Sequence, residues 1–257
     1  SQWLGMGRQL LAEEPAFGDA LTACDEAIRK WTGWSLLAEL AAPAATSRLT
    51  QIDVVQPTLF AIEVALSALW RAWGVEPDAV IGHSMGEVAA AHVAGALSLD
   101  DAARIICRRS QILRQVSGKG SMAVIGLPMR EAQAELAGYE DRLAIAVSNS
   151  PAETVISGDT QALDALLDRL KPRNVFCRPV KVDVASHSPQ MDPLRPELLA
   201  ALDGIAPRAA TVPIYSTVTG EVSDGASFFP EYWASNLREP VLFARMVAEH
   251  AAAGHTA

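Results

Sequence analysis

The decuplet "IGHSMGEVAA", residues 81–90, sets one serine between two glycines, with an apolar run before it and an alanine-rich run after it. Gly-x-Ser-x-Gly is the pattern of a sharp turn from a buried strand into a helix, where side chains at Gly82 and Gly86 would strike neighbouring backbone. Such a turn exposes the Ser84 hydroxyl. "PDAVIGHS" supplies the strand, with Ala79 to Ile81 entering the turn, and "GEVAAAHVAGALSLDDAARIICRRSQIL" continues at helical spacing from a start at or next to Ser84. The helix N-terminus leaves free N–H groups and a dipole that favour negative charge beside the hydroxyl, as an oxyanion of acyl transfer requires. The plainer alternative is an ordinary turn whose serine caps the helix.

Working outward, the segment before the turn reads as helices. "GRQLLAEEPAFGDALTACDEAIRKW" breaks near Pro15, "SLLAEL" follows, and Leu59 to Trp73 form a helix ended by Gly74. From residue 121 the pattern changes. "SMAVIGL", "RLAIAVSNS", "ETVISGD" and "NVFCRPVKVDVA" read as strands, with helices at "REAQAELAGY" and "TQALDALLDRL". This β-α-β-β-α-β order is that of a ferredoxin-like unit, inserted into a larger α/β domain. Helical "MDPLRPELLAALDGI", strand-like "VPIYSTV", and helical "PEYWASNL" and "FARMVAEHAAAG" then return to the larger domain.

The chain has 257 residues, half of them hydrophobic, enough for a sizeable core in one large domain or two unequal lobes. The net charge of −9 disfavours a general nucleic-acid partner. Local basic stretches remain, at Arg108, Arg109 and Arg114, and at Lys171, Arg173, Arg178 and Lys181. No run approaches the roughly 20 uninterrupted apolar residues of a membrane span, and the first residues lack a basic-then-apolar signal. The expectation is a soluble cytoplasmic protein with no membrane partner. Cys24, Cys107 and Cys177 have no metal-ligand spacing, which points to reduced structural thiols and no metal.

A serine hydroxyl needs a base within hydrogen-bond reach. His83 is adjacent to Ser84 and suits a supporting role; His92 lies roughly 12 Å along the same helix at 1.5 Å per residue. His250 and His255 stand near the end of the sequence. His187, in "VDVASHSPQMD", follows a strand end and can be carried over the turn by its loop. Asp159, Asp164 and Asp183 fall between Ser84 and His187, so the chain order Ser, acid, His of a hydrolase triad stays open.

With "GHSMGE", "CRRSQ", "VASHS" and "YWASNLREPVLF" in that order, the chain resembles, over almost its whole length, the acyltransferase domains of modular type I polyketide synthases, relatives of malonyl-CoA:acyl-carrier-protein transacylases. The resemblance implies an α/β fold with a large α/β-hydrolase-like lobe (1–120 and 186–257) and an inserted ferredoxin-like small lobe (121–185), the site lying between them. It implies that Ser84 takes an acyl group from a CoA thioester and gives it to the phosphopantetheine thiol of an acyl carrier protein. No cofactor is implied beyond those two substrates; neighbouring ketosynthase and linker domains are implied as partners. His187 becomes the base and then the acid of a Ser-His dyad, oriented by a backbone carbonyl, which makes Asp183 a bystander. Arg109 matches the arginine that grips the extender's free carboxylate through parallel charge-assisted bonds. Gln56 and Asn149 match cleft residues, and Met85 supplies an oxyanion-hole N–H.

Family domains usually begin with a strand and a "GQG" turn before the stretch matching "SQWLGMGRQ", and continue into a "SPHPVL"-like segment. The expectation is a chain trimmed at both ends, its activity alone open to question. "QIDVVQP" resembles the "RVDVVQP" of methylmalonyl-selective members, and "VASH" is nearer to their "YASH" than to the malonyl-selective "HAFH". Ser186 leaves open the space that phenylalanine would fill. Val184 in place of tyrosine resembles mycobacterial lipid-making synthases of the phthiocerol and mycocerosate type. The alternatives are a serine hydrolase such as a thioesterase, or a catalytically incomplete synthase fragment.

Overall fold

A computed structural model describes residues 2–182 and 184–254. Helices α1 (Arg8–Glu13), α2 (Pro15–Thr32), α3 (Leu36–Ala41) and α4 (Ile52–Ala72) precede strand β1 (Val80–Ile81), which turns into α5 (Gly86–Val93) and α6 (Leu99–Leu113). Next come β2 (Ser121–Ile125), α7 (Met129–Glu135), β3 (Leu143–Ser150), β4 (Glu153–Gly158), α8 (Thr160–Leu170) and β5 (Cys177–Val180). A 3₁₀ turn at Pro189–Leu194 leads to α9 (Arg195–Ala201), β6 (Ile214–Ser216), β7 (Glu221–Ser223), α10 (Pro230–Arg238) and α11 (Phe243–Ala252).

Two sheets result. In the first, β1 pairs with β6 in parallel and β6 with β7 antiparallel. In the second, all neighbours are antiparallel in the order β3-β4-β2-β5, the strand order of a ferredoxin-like sheet. Along β2 the side chains alternate. Ala123 and Ile125 pack under α7 and α8 with Ile145, Ile156, Leu163 and Leu166, whereas Met122 and Val124 face the other way, towards Val147, Val155 and Val241. That second face looks at the site.

The helix spacing before the turn is borne out at Pro15, which opens α2, and corrected at α4, which starts at Ile52 rather than Leu59. Pro57 stands in the second helical turn, where its missing N–H costs one bond, and Val54, Pro57, Thr58 and Phe60 are all buried there. Among the described residues α4 alone is long and apolar enough to cross a membrane; here it is a core helix packed against α2, α5 and α6. The run after the turn is two helices instead of one. Gly95, at φ 86°, ends the first, and Ser98 caps the second by accepting from the Asp101 N–H. β5 is shorter than its apolar pattern, because β2 offers it partners only from Met122 to Ile125. β7, three residues long, has no sequence signal of its own.

The 239–242 segment ties the two sheets together. Val241 exchanges bonds of 2.9 Å with Ala146 and Ser148 of β3, and the Leu242 N–H donates to Thr217 beyond β6. Cys24 and Cys107 are buried thiols, pushed up to about 12 by burial.

Candidate active site

Gly82 is required where the strand leaves the sheet, since a Cβ there would stand 2.3 Å from the Glu87 nitrogen and 2.5 Å from the Gly86 carbonyl carbon. The collision argument fails at Gly86, whose added Cβ would meet only Glu63 Oε2, at 4.0 Å. Ser84 sits at φ 53°, the left-handed region that side chains avoid, and the turn holds it there. The Gly86 N–H donates to the His83 carbonyl and the Glu87 N–H to the Ser84 carbonyl, and the Thr217 hydroxyl shares its one proton between Glu87 Oε1 at 2.8 Å and the Gly82 carbonyl at 3.1 Å. α5 begins two residues after Ser84, so Met85 N precedes the helix ladder and makes no turn or helix bond of its own.

His187 comes to this hydroxyl from 103 residues away, its Nε2 2.8 Å from Ser84 Oγ. Its own backbone is also left-handed, at φ 61°, and is fixed by its N–H bond to the Leu237 carbonyl. Its Nδ1 lies 2.8 Å from the Glu239 carbonyl oxygen. A carbonyl only accepts, so Nδ1 carries the proton and Nε2 presents its lone pair to the serine. Burial first, and the Arg109 cation next, hold the imidazole down to about 3, which keeps it neutral at physiological pH.

Arg109, on the inner face of α6, donates through one Nη to Ser84 Oγ at 3.2 Å and through the other to Asn236 Oδ1, while its Nε is buried without a hydrogen-bond partner. Burial lowers it to about 10, with Glu87 opposing, so it remains a cation at neutral pH. Glu87 is fully buried on the far side of Asn236. It accepts from the Thr217 N–H and hydroxyl, the Tyr232 hydroxyl and the Asn236 amide; burial raises its carboxyl while those bonds pull it back. Among the described residues no carboxylate bonds Arg109.

A cavity of about 910 Å³ lies between the two sheets. Gln56, His83, Ser84, Met85, Asn149, Val184, Ser186 and His187 all line it, as does the basic pair Arg178 and Lys181. Gln56 has a buried, unbonded Oε1. His83 Nε2 meets Asn149 Oδ1 at 2.9 Å, a bond between the turn and β3, and its ring rests 5.2 Å from that of Phe243. Val184 is buried and Ser186 half-buried. Arg109, expected to bind substrate, is buried and not among the lining residues; it meets the site through its bond to Ser84 Oγ.

The remaining candidates lie elsewhere. His92 bonds the Leu97 carbonyl, and the His250 ring packs on Tyr215 at 5.0 Å. Asp159 caps α8 and pairs with Arg142, and Asp164 is exposed. Asp183 and His255 lie outside the described residues. Sequence reasoning assigned nothing to Glu87, Thr217, Tyr232, Asn236 or the Glu239 carbonyl. Glu87 and Asn236 stand inside the quoted motifs, but only the fold shows that they touch.

The chain matches the family described as acyl transferase domain across residues 1–257. It is 47% identical over 256 residues to the spectinabilin polyketide synthase system protein NorC of Streptomyces orinoci, covering 99% of this chain and 11% of that one. Thus the chain spans about a tenth of that relative's length. Among solved structures, the acyltransferase domain from module 8 of the salinomycin polyketide synthase superposes with a TM-score of 0.94 at 45% identity, covering 97% of this chain and 59% of that one. The acyltransferase domain of the polyketide synthase PpsC of Mycobacterium tuberculosis does so with 0.90 at 41%, covering 98% and 77%. A serine, a neutral histidine and a buried arginine gathered on one turn, in a chain that such domains match from end to end, place the protein in the acyl transferase domain family, as an acyltransferase of the kind found in modular polyketide synthases.

Proposed function

We propose that this domain transfers methylmalonyl from CoA to the phosphopantetheine thiol of an acyl carrier protein, through an acyl-Ser84 intermediate. Ser84 Oγ attacks the thioester carbonyl as its proton passes to His187 Nε2. The tetrahedral oxyanion takes a bond from the Met85 N–H. Collapse breaks the C–S bond, and the departing CoA sulfur receives the proton from His187. In the second half the carrier thiol gives its proton to His187 and attacks the acyl-serine, and the proton returns to Ser84. Arg109 holds the acyl group's carboxylate throughout. The enzyme works beside ketosynthase and linker domains, in the cytoplasm where CoA thioesters are made.

The observation that carries this reading is the hydroxyl shared between a neutral imidazole at 2.8 Å and a guanidinium at 3.2 Å that has no carboxylate partner among the described residues. A thioesterase for uncharged acyl groups has no use for such a cation. Ser186 and Val184, small beside His187, support room for an α-methyl branch. The test is intact mass after mixing with methylmalonyl-CoA. A stable adduct, absent in Ser84→Ala and discharged by carrier protein, is expected. Release of free acid without carrier would make the protein a hydrolase, and no adduct would make it an inactive piece.

A further inference from the structure

Arg109 and Glu87 are a buried cation and a buried carboxyl group that do not touch. Between them stands Asn236, itself 2% exposed. Its Oδ1 accepts from Arg109, and its Nδ2 donates to Glu87 Oε2 at 2.8 Å and to the Ser84 carbonyl at 3.1 Å. The three groups this amide meets are therefore the turn that carries Ser84, the guanidinium and the Glu87 carboxyl. Direct contact would let Glu87 neutralise Arg109. With the amide interposed, Glu87 is instead saturated by Thr217, Tyr232 and Asn236, and the guanidinium keeps its Nε unbonded.

We infer that Asn236 is a positioning residue that sets substrate charge preference: it anchors Arg109 with a neutral oxygen, so that the cation stays available to an acyl carboxylate. This rests on Arg109 binding that carboxylate. The chemistry of the position follows from its charge. An aspartate has the same shape and also accepts from Arg109, but its second oxygen replaces the donor to Glu87 and to the Ser84 carbonyl, so the two acids share a proton and the remaining negative charge can lie against the guanidinium. The site then holds two acids around one arginine, and an incoming carboxylate meets a compensated cation. Neutral acyl groups are spared that penalty. Asparagine also aligns two jobs at once, because the same side chain grips the Ser84 carbonyl.

The experiment compares acylation of Ser84 by methylmalonyl-CoA and by propionyl-CoA, which differ in the carboxylate, and reports the ratio of the two kcat/KM values. Circular dichroism and melting check each variant's fold. Arg109→Ala comes first: if it leaves the ratio unchanged, the carboxylate reading itself fails. If it lowers the ratio, Asn236→Asp is expected to lower it as well, by roughly 30-fold, the scale of a buried charge left without its complement. Asn236→Ser, neutral and able to accept, is expected to hold the ratio within about threefold, the loss of one ordinary hydrogen bond. A folded Asn236→Asp protein with the wild-type ratio overturns the inference while leaving Arg109's role intact. Should the aspartate variant fail to fold, Asn236→Ala decides: it is expected to raise KM for methylmalonyl-CoA and leave that for propionyl-CoA in place. Equal changes in both overturn the inference.

Discussion

Replacing Arg109 by alanine should make His187 a stronger base, and the size of the change follows from the geometry. Both side chains bond the same oxygen, at 3.2 and 2.8 Å, so their nitrogens are no more than about 6 Å apart. At an effective dielectric of about 20, a unit charge at that distance is worth about 2 to 3 kcal/mol, or roughly two pKa units. Burial, the larger cause, stays. His187 should therefore rise from about 3 towards about 5 and remain below its free value of 6.5. The folded state of the wild type refuses a proton that the unfolded chain takes below pH 6.5, so its stability falls as pH drops from there to about 3. In the variant that window closes earlier, and acidification costs it less. The assay is NMR titration of the imidazoles, with the His187 signal assigned by its loss in His187→Ala. The rate of Ser84 acylation by propionyl-CoA against pH is the second readout, and its acid limb should move upward in Arg109→Ala. A His187 that titrates alike in both proteins would refute the coupling, and a wild-type His187 near 6.5 would refute the burial argument.

Ser186→Phe should fill space beside His187. One methyl group supports roughly 10- to 200-fold discrimination, so the methylmalonyl-to-malonyl ratio, read by competing the two CoA esters, should fall by about tenfold; an unchanged ratio acquits Ser186. Gly82→Ala should cost at least the usual range of about 1–3 kcal/mol for overpacking, because the added carbon meets backbone, which cannot swing away. Gly86→Ala, with only Glu63 Oε2 at 4.0 Å, should melt close to the wild type. Thermal melts of the pair check both, and equal losses would remove the distinction between the two glycines.

How far the sequence carries depends on the range of the interaction. The Gly82–Ser84 turn and the order of elements in the ferredoxin-like unit depend on residues a few positions apart, and those are readable. The start of α4 at Ile52 was out of reach because the burial of Val54 and Phe60, which outweighs the bond lost at Pro57, needs α2 and α6 in place. Gly95 was hidden for the opposite reason: an alanine-rich stretch looks helical on both sides of it. In the site, Ser84 and His187 are legible because nucleophile and base are defined by chemistry. Asn236 and Glu87 are 149 residues apart, and their roles consist of contacts with each other. A pattern read along the chain shows that both are present, without showing that one amide links them to Ser84 and Arg109.

Among the described residues, no group that bonds the His187 ring or the Arg109 guanidinium is a carboxylate. His187 is held by the Glu239 carbonyl where a hydrolase triad would use a carboxylate, and Arg109 is held by the Asn236 amide where an ion pair would be simpler. A carboxylate behind the histidine would raise its basicity, which speeds attack by a serine, but it would also stand close to Arg109 and, on the proposed function, compete with the substrate for that cation. The backbone carbonyl fixes the tautomer without that competition. The same economy explains why Glu87, the one fully buried acid of the cluster, is turned away and given four donors. The depressed His187 is the consequence: with Arg109 uncompensated, the empty site holds a weak base. On the proposed function, a carboxylate bound to Arg109 would cancel part of the field that weakens His187, so a charged extender would strengthen the base and an uncharged acyl group would leave it weak.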